Sequence, residues 1–489
     1  MGGTSDYALT RFVFQRLLAF LYAVAFLIAA NQLKGLIGSR GLLPLRLFLQ
    51  RVSFWEAPSL FWLNHSNTFL LALSWLGFAL SMFALLGFSD LYSTWLSVFV
   101  WFLLWLLYLS IVNVGQTFYG FGWEMLILET GFLAIFLGSM RAPPSEIVIW
   151  LLRWVLFRLM FGAGMIKIRG DSCWRDLTCL QFHYETQPLP NPLSWYFHHL
   201  PVWANRGGVL FNHFAELIVP FGYFGPRKVR IAAGLITIVF QGILILSGNL
   251  SWLNCITIVL CFACFDDRFL TSILAVIGGW LPARAAEMAY PNFVIYALAA
   301  LVALLSIKPA LNILSPAQAM NASFDPLHLV NTYGAFGSVT RERDEIVIEG
   351  TNDSIVTENT PWTEIPFKGK PGDLFRRPPQ VTPYHFKIDW QMWFAAMSSY
   401  QYNPWLLNLM GKILQGEKDA IELLGPNPFP GAPPKFVRVR SYKYHFTGWG
   451  EKAWWKRDLV GEYLPPLSLN DAAFRSILVD QGWMDEKTE

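Results

Sequence analysis

The sequence predicts a polytopic α-helical membrane bundle followed by a C-terminal soluble domain that is β-rich or α+β. Three observations predict it. Of the 489 residues, 54% are hydrophobic and only 15% charged, whereas a soluble domain carries about 25% charged residues. Long apolar runs fill the first 310 residues and then stop. After about residue 315 charge returns, and polar residues alternate with β-branched or aromatic ones, which is the period of a half-buried strand. The 22 Trp and 40 Phe fit the same reading, because indole rings anchor at the lipid–water boundary.

Residues 11–33 are the first expected transmembrane helix. They lack a small-residue cleavage site and are long enough to span. Further candidates are 68–88, 91–113, 121–140, 145–167, 208–224, 229–248, 250–265 and 292–307. The run 269–282 is short and reads as half-buried or re-entrant, so roughly eight to ten helical segments are expected. They must be helices, because backbone polar groups cannot face lipid unpaired. Residues 34–67, with Lys34, Arg40, Arg46, Arg51 and Glu56, read as an amphipathic interfacial segment. Residues 168–207 form a long polar loop, and a loop of that length is more often functional than a mere connector. The basic clusters at 34–51 and 227–230 give no clean alternation, so the topology stays open.

The chain therefore divides into a transmembrane helical domain, 1–315, and a soluble domain, 316–489. In the second, 344–349 and 436–446 alternate as strands, with Arg438, Arg440, Tyr442 and Tyr444 on one side of the latter and Val437 and Val439 on the other. The Pro- and Gly-rich stretches 366–383 and 425–435 read as loops, and 387–414 as helical. The tail, 466–489, reads as a helix and a mobile end.

A net charge of +3 is too small to argue for nucleic acid as a partner. No nucleophile elbow, P-loop or dinucleotide fingerprint stands in the right context. No cofactor is expected. The five Cys include no CxxC pair near His at zinc spacing, and no metal is expected.

The densest polar constellation spans 162–216. Lys167, Arg169, Asp171, Arg175 and Asp176 crowd the end of one helix, followed by His183, Tyr184, Glu185, His198, His199, His213 and Glu216. One reading is a charged helix cap with Lys167 snorkelling to the interface. The other places Lys167 in a polar cavity, because a charge at bilayer depth costs at least about 2.5 kcal/mol and tends to face a partner or a pathway. His213 and Glu216 can share a helix face, where hydrogen bonding between helices is the expected role. Glu124 and Glu129 lie on an otherwise apolar helix, and Arg153 and Arg158 on the next, so carboxylates facing guanidinium groups would satisfy both. Cys173 and Cys179 could form a disulfide in an oxidising compartment. Cys255, Cys261 and Cys264 read as small core residues.

The strings GWEMLILETGFLAIFLGS (122–139), RWVLFRLMFGAGMIKIRGDSCWRDLTCLQFHYETQPLPNPLSWYFHHLP (153–201), NHFAELIVPF (212–221) and FQGILILSGNLSWLNCITIVLCFACFDD (240–267) closely resemble the lipase maturation factor family. LVNTYGAFGSVTRERDEIVIEGT (329–351), FKGKPGDLFRRPPQVTPYHFKIDWQMWFAA (367–396) and YKYHFT (442–447) resemble its second conserved region. The resemblance implies a membrane-resident chaperone of the endoplasmic reticulum that helps secreted homodimeric lipases fold and assemble, without turnover. It implies client engagement by the C-terminal region, where Arg438, Arg440, Tyr442 and Tyr444 are the candidate surface, and membrane lipid as the other partner. The chain starts close to its first helix and shows no KDEL-type ending, so a compact microbial homologue, in an inner or plasma membrane, is also an expectation.

A more distant resemblance covers one motif. A helix ending in Lys167 with Trp174 beyond it is similar to the membrane domain of vitamin K-dependent gamma-carboxylase, where a membrane-embedded Lys is a base. It implies the alternative: a membrane-embedded enzyme acting on a lipid or quinone-like substrate, with Lys167 as base beside His183 and Glu216.

Overall fold

The structure, a computed structural model, describes residues 7–277 and 290–485. Helix α1 (Ala8–Ile37) is buried along most of its length. Its first N–H groups, on Ala8, Leu9 and Thr10, donate to the Asp267 carboxylate at 2.8, 2.8 and 3.2 Å, which places negative charge at the positive end of the helix dipole. Helices α2 (Asn67–Leu85) and α3 (Thr94–Val114) start at serine caps, Ser66 and Ser93. Gly77 lets α2 lie against α1: a Cβ there would fall 2.2 Å from the Phe26 ring. The helical part continues with α4 (Gly122–Ile135), α5 (Glu146–Arg169), α6 (Val202–His213), α7 (Arg227–Ser247), α8 (Leu253–Cys261) and α9 (Asn292–Leu305).

Among the described residues, six helices are long and apolar enough to cross a membrane: α1, α2, α3, α5, α7 and the run Asn292–Leu314 that contains α9. Three expected spans take other forms. The segment 121–140 becomes α4, only 14 residues long. The segment 250–265 becomes α8 and a short 3-10 turn, Phe262–Cys264. The segment 208–224 is broken, because α6 passes into a π-helical turn, Phe214–Ile218, and then a 3-10 stretch, Val219–Phe224. Pro220 accounts for the break, since it has no N–H with which to continue the α ladder. Of 269–282, the part within Asp267–Ile277 is helical and the remainder lies outside the described residues. The segment 34–67 leaves Trp55 and Leu63 exposed, while Lys34 pairs with Asp419 at 2.9 Å.

The C-terminal part is an antiparallel sheet of β1 (Arg343–Thr351), β2 (Thr363–Glu364), β3 (Phe436–Phe446) and β4 (Trp455–Leu467), in the order β2-β1-β3-β4. Helices α10 (Lys387–Ala396), α11 (Pro404–Gln415) and α12 (Ala472–Asp480) accompany it. The expected helix over 387–414 is split in two by a 3-10 turn, Tyr400–Tyr402, and Pro404. Ile346, Ile348, Val437 and Val439 belong to the same apolar core as α1 and α5. Val347, Tyr442, Tyr444, Phe446 and Trp455 form a second cluster with Trp195 of the polar loop.

Candidate functional site

Lys167 lies in the last turn of α5, and its ammonium reaches across to the broken helix. Its Nζ donates to Glu216 Oε1 at 2.6 Å and to Asn212 Oδ1 at 3.0 Å. Asn212 Nδ2 donates in turn to Glu216 Oε2 at 3.0 Å. The indole of Trp174 covers the ammonium, with Nζ 5.0 Å from the ring centroid. All three polar side chains are buried. Burying an ion pair is tolerable only when remaining donors and acceptors are also met, and here the Asn212 amide meets them. Asn212 lies at the end of α6 and Glu216 within the π turn that follows; widened turns of this kind recur at functional positions.

Lys167, Asn212 and Glu216 form part of the wall of a cavity of about 830 Å³. Its wall is mostly apolar and comes from α5, α7, α8, the polar loop, the 333–338 segment and α10. His183 also lines it. Burial, with the Lys167 charge nearby, pushes the His183 imidazole down to about 4, so at neutral pH the ring is uncharged.

The rest of the constellation fastens the polar loop. Asp171 accepts from Arg341 at 2.7 Å and from the N–H groups of Cys173 and Val339 at 3.0 and 3.3 Å. Its carboxyl is held down to about 2, chiefly by Arg341. Cys173 and Cys179 form a disulfide. Arg169 donates to the carbonyls of Ile313 and Ser315 at 2.6 and 2.9 Å, and Arg175 to that of Ile168 at 2.7 Å. Asp176 is exposed. His213 meets the Trp174 carbonyl at 2.9 Å rather than sharing the Glu216 site. Tyr184 packs at a tilt against Phe197 and lines the cavity. Glu185 accepts from the Phe446 N–H at 2.7 Å, which ties the loop to the end of β3.

The two carboxylates of α4 find different partners. Glu129 pairs with Arg158 and also accepts from Tyr333 OH at 2.6 Å and from the Asn331 N–H and amide, both at 3.1 Å. Glu124 does not meet an arginine. It pairs with Lys387 of α10 and accepts from Tyr108. Arg153 instead donates to the Ala263 carbonyl at 2.8 Å and to Tyr7 OH at 3.0 Å.

One part of the expected client surface is corrected. Tyr442 and Tyr444 share a sheet face with Arg438 and Arg440, as their alternation predicts, but they are 7% and 0% exposed. Trp195 and Trp455 cover that end of the face. Arg438 is half-buried, paired with Glu349 at 2.6 Å and stacked on Trp362. Arg440 is half-buried. Among the described residues no group of three or more His, Cys, Asp and Glu is arranged to hold a metal ion.

Sequence reasoning missed Asn212, Lys387, Asn331 and Tyr333. Asn212 carries a signal, since it stands four residues before Glu216 on the same helical path. Lys387 carries none, because its partner lies 263 positions away.

The family model described as the lipase maturation factor transmembrane domain matches residues 9–272, and that described as the lipase maturation factor C-terminal domain matches 329–465. Lipase maturation factor 1 of Homo sapiens is 45% identical over 98% of this chain and 91% of its own length. The Mus musculus counterpart is 45% identical over 96% of this chain and 88% of its own. Lipase maturation factor 2 of Mus musculus is 30% identical over 96% and 84%. No solved structure matches the chain.

Proposed function

This chain belongs to the lipase maturation factor family, and we propose that it is a membrane-resident maturation factor that helps secreted lipases, or related clients, fold and assemble. The observation that carries the reading is the near-complete alignment with Lipase maturation factor 1, 45% identical over 98% of this chain. An integral multi-pass architecture fits a factor that meets its clients at a membrane surface. In a eukaryotic host that membrane is the endoplasmic reticulum, where secreted proteins acquire disulfides, and the Cys173–Cys179 bridge accords with an oxidising side.

In this reading the client meets the C-terminal domain. With Tyr442 and Tyr444 buried, contact falls to Arg438, Arg440 and the outer edge of β4. That edge pairs with no other strand among the described residues, and it exposes Leu459 and Val460. An open edge can accept an extended segment of an incompletely folded partner. The alternative, an enzyme with Lys167 as base, draws on the cavity. Against it stands the geometry, since the amine is engaged by Glu216, Asn212 and Trp174 as an ammonium would be.

Crosslinked affinity capture from the native membrane tests the proposal. The expected result is a secreted hydrolase recovered in crosslinks to β4 and its neighbours. Recovery of no secreted hydrolase, from cells secreting one, would contradict it.

A further inference from the structure

The cavity beside Lys167 is a feature that client handling leaves unused. Its volume, about 830 Å³, falls within the roughly 300–1,000 Å³ of small-molecule sites. Its apolar part is built by Leu159, Met160 and Ala163 of α5, Phe240 and Leu244 of α7, and Leu253 of α8. Two of these helices are of membrane-crossing length, so this wall belongs to the part of the chain that is immersed in lipid. Gln241 of α7 and Asn254 of α8 also line it but engage each other, Asn254 Nδ2 donating to Gln241 Oε1 at 2.7 Å, so the apolar side chains around them favour an apolar ligand.

Close to Lys167 the wall also presents His183. His183 is 8% exposed and lines the cavity, and its ring nitrogens have no hydrogen-bond partner among the described residues. Phe336 packs edge-on against the ring at 4.7 Å, which fixes its plane. The ring nitrogens are open to the cavity, where a ligand hydroxyl can reach them, rather than enclosed by packed protein. The charges here already cancel, because Lys167 is matched by Glu216. No net charge is left over for an anionic headgroup. A peptide fits poorly, because each residue would bring an N–H and a carbonyl to a mostly apolar wall. An acyl chain brings neither.

We propose that this cavity is a binding site for a single-chain neutral lipid, with its acyl chain between α5, α7 and α8 and its hydroxylated head beside His183.

A monoacylglycerol carrying a diazirine in its acyl chain tests this on the full-length protein in nanodiscs. After irradiation, label is expected on the inner face of α7, at Phe240 and Leu244, rather than on its outward Val239 and Leu246. Unlabelled monoacylglycerol should displace it, and a lysophosphatidate of the same chain length should not. His183→Phe should weaken that competition about five- to tenfold, the loss of one hydrogen bond. Ala163→Phe, which narrows the cavity, should abolish the inner label. The wild-type labelling map needs no variant to fold. Label confined to Val239 and Leu246 would overturn the proposal. So would equal competition by the lysophosphatidate, or displacement by an apolar peptide but not by monoacylglycerol.

Discussion

The buried carboxylates Glu124, Glu129 and Glu216 of the helical part each face a cation, and the partners decide what a substitution does. Glu129 holds Arg158, Asn331 and Tyr333 at once. Glu129→Gln keeps the shape but leaves a buried guanidinium uncompensated, so we expect a loss of about 3–5 kcal/mol, read as a lower Tm in detergent and reduced expression. Unchanged Tm would contradict the pairing. Asp171, held down to about 2 by Arg341, contributes stability that is present above the ordinary carboxylate value of 3.8 and is lost as pH falls through 2. The pair is partly exposed, so Arg341→Met should cost only about 0–1 kcal/mol at neutral pH. The gap in Tm between the two proteins should close as pH falls toward 2. At this scale the sequence was informative about which residues matter and less so about their partners. Glu129 and Arg158 stand on consecutive helices, where local reasoning reaches. Lys387 meets Glu124 only through the fold.

Elements were legible where periodicity is strong. β3 occupies Phe436–Phe446, the alternating run, and β1 contains the other. What alternation cannot supply is what lies against each face. Tyr442 and Tyr444 point as their period requires, yet a tryptophan from a loop almost 250 positions earlier covers them. Apolar windows likewise cannot see a helix break, and 208–224 has the hydropathy of a span although Pro220 interrupts it. α10 is fixed to α4 by the Lys387–Glu124 pair, with Lys387 also over the Tyr119 ring at 3.9 Å. A double-mutant cycle measures that bond between elements. Glu124→Gln and Lys387→Met should each cost about 3–5 kcal/mol, and the double variant clearly less than their sum. Strict additivity in thermal unfolding would mean that the two do not interact.

Taken as a whole, the molecule is less divided than its composition suggests. Composition separates 1–315 from 316–489, but one apolar core runs from α1 and α5 through α10 and α11 to Val437 and Val439. Gln32 of α1 donates to the His385 carbonyl at 2.7 Å, and Asn249 accepts from the N–H groups of Val381 and Thr382 at 2.8 and 3.0 Å. The sheet is therefore fastened to the part of the chain that holds the helices of membrane-crossing length. That arrangement suits a factor that holds a secreted chain while it assembles. The most direct test is complementation. The chain is expressed in secretory cells that lack any lipase maturation factor, together with a secreted homodimeric lipase, and activity per mass of secreted lipase is measured. The account predicts that this specific activity rises from near background. Unchanged specific activity, with the chain present and integrated in the membrane, would contradict it.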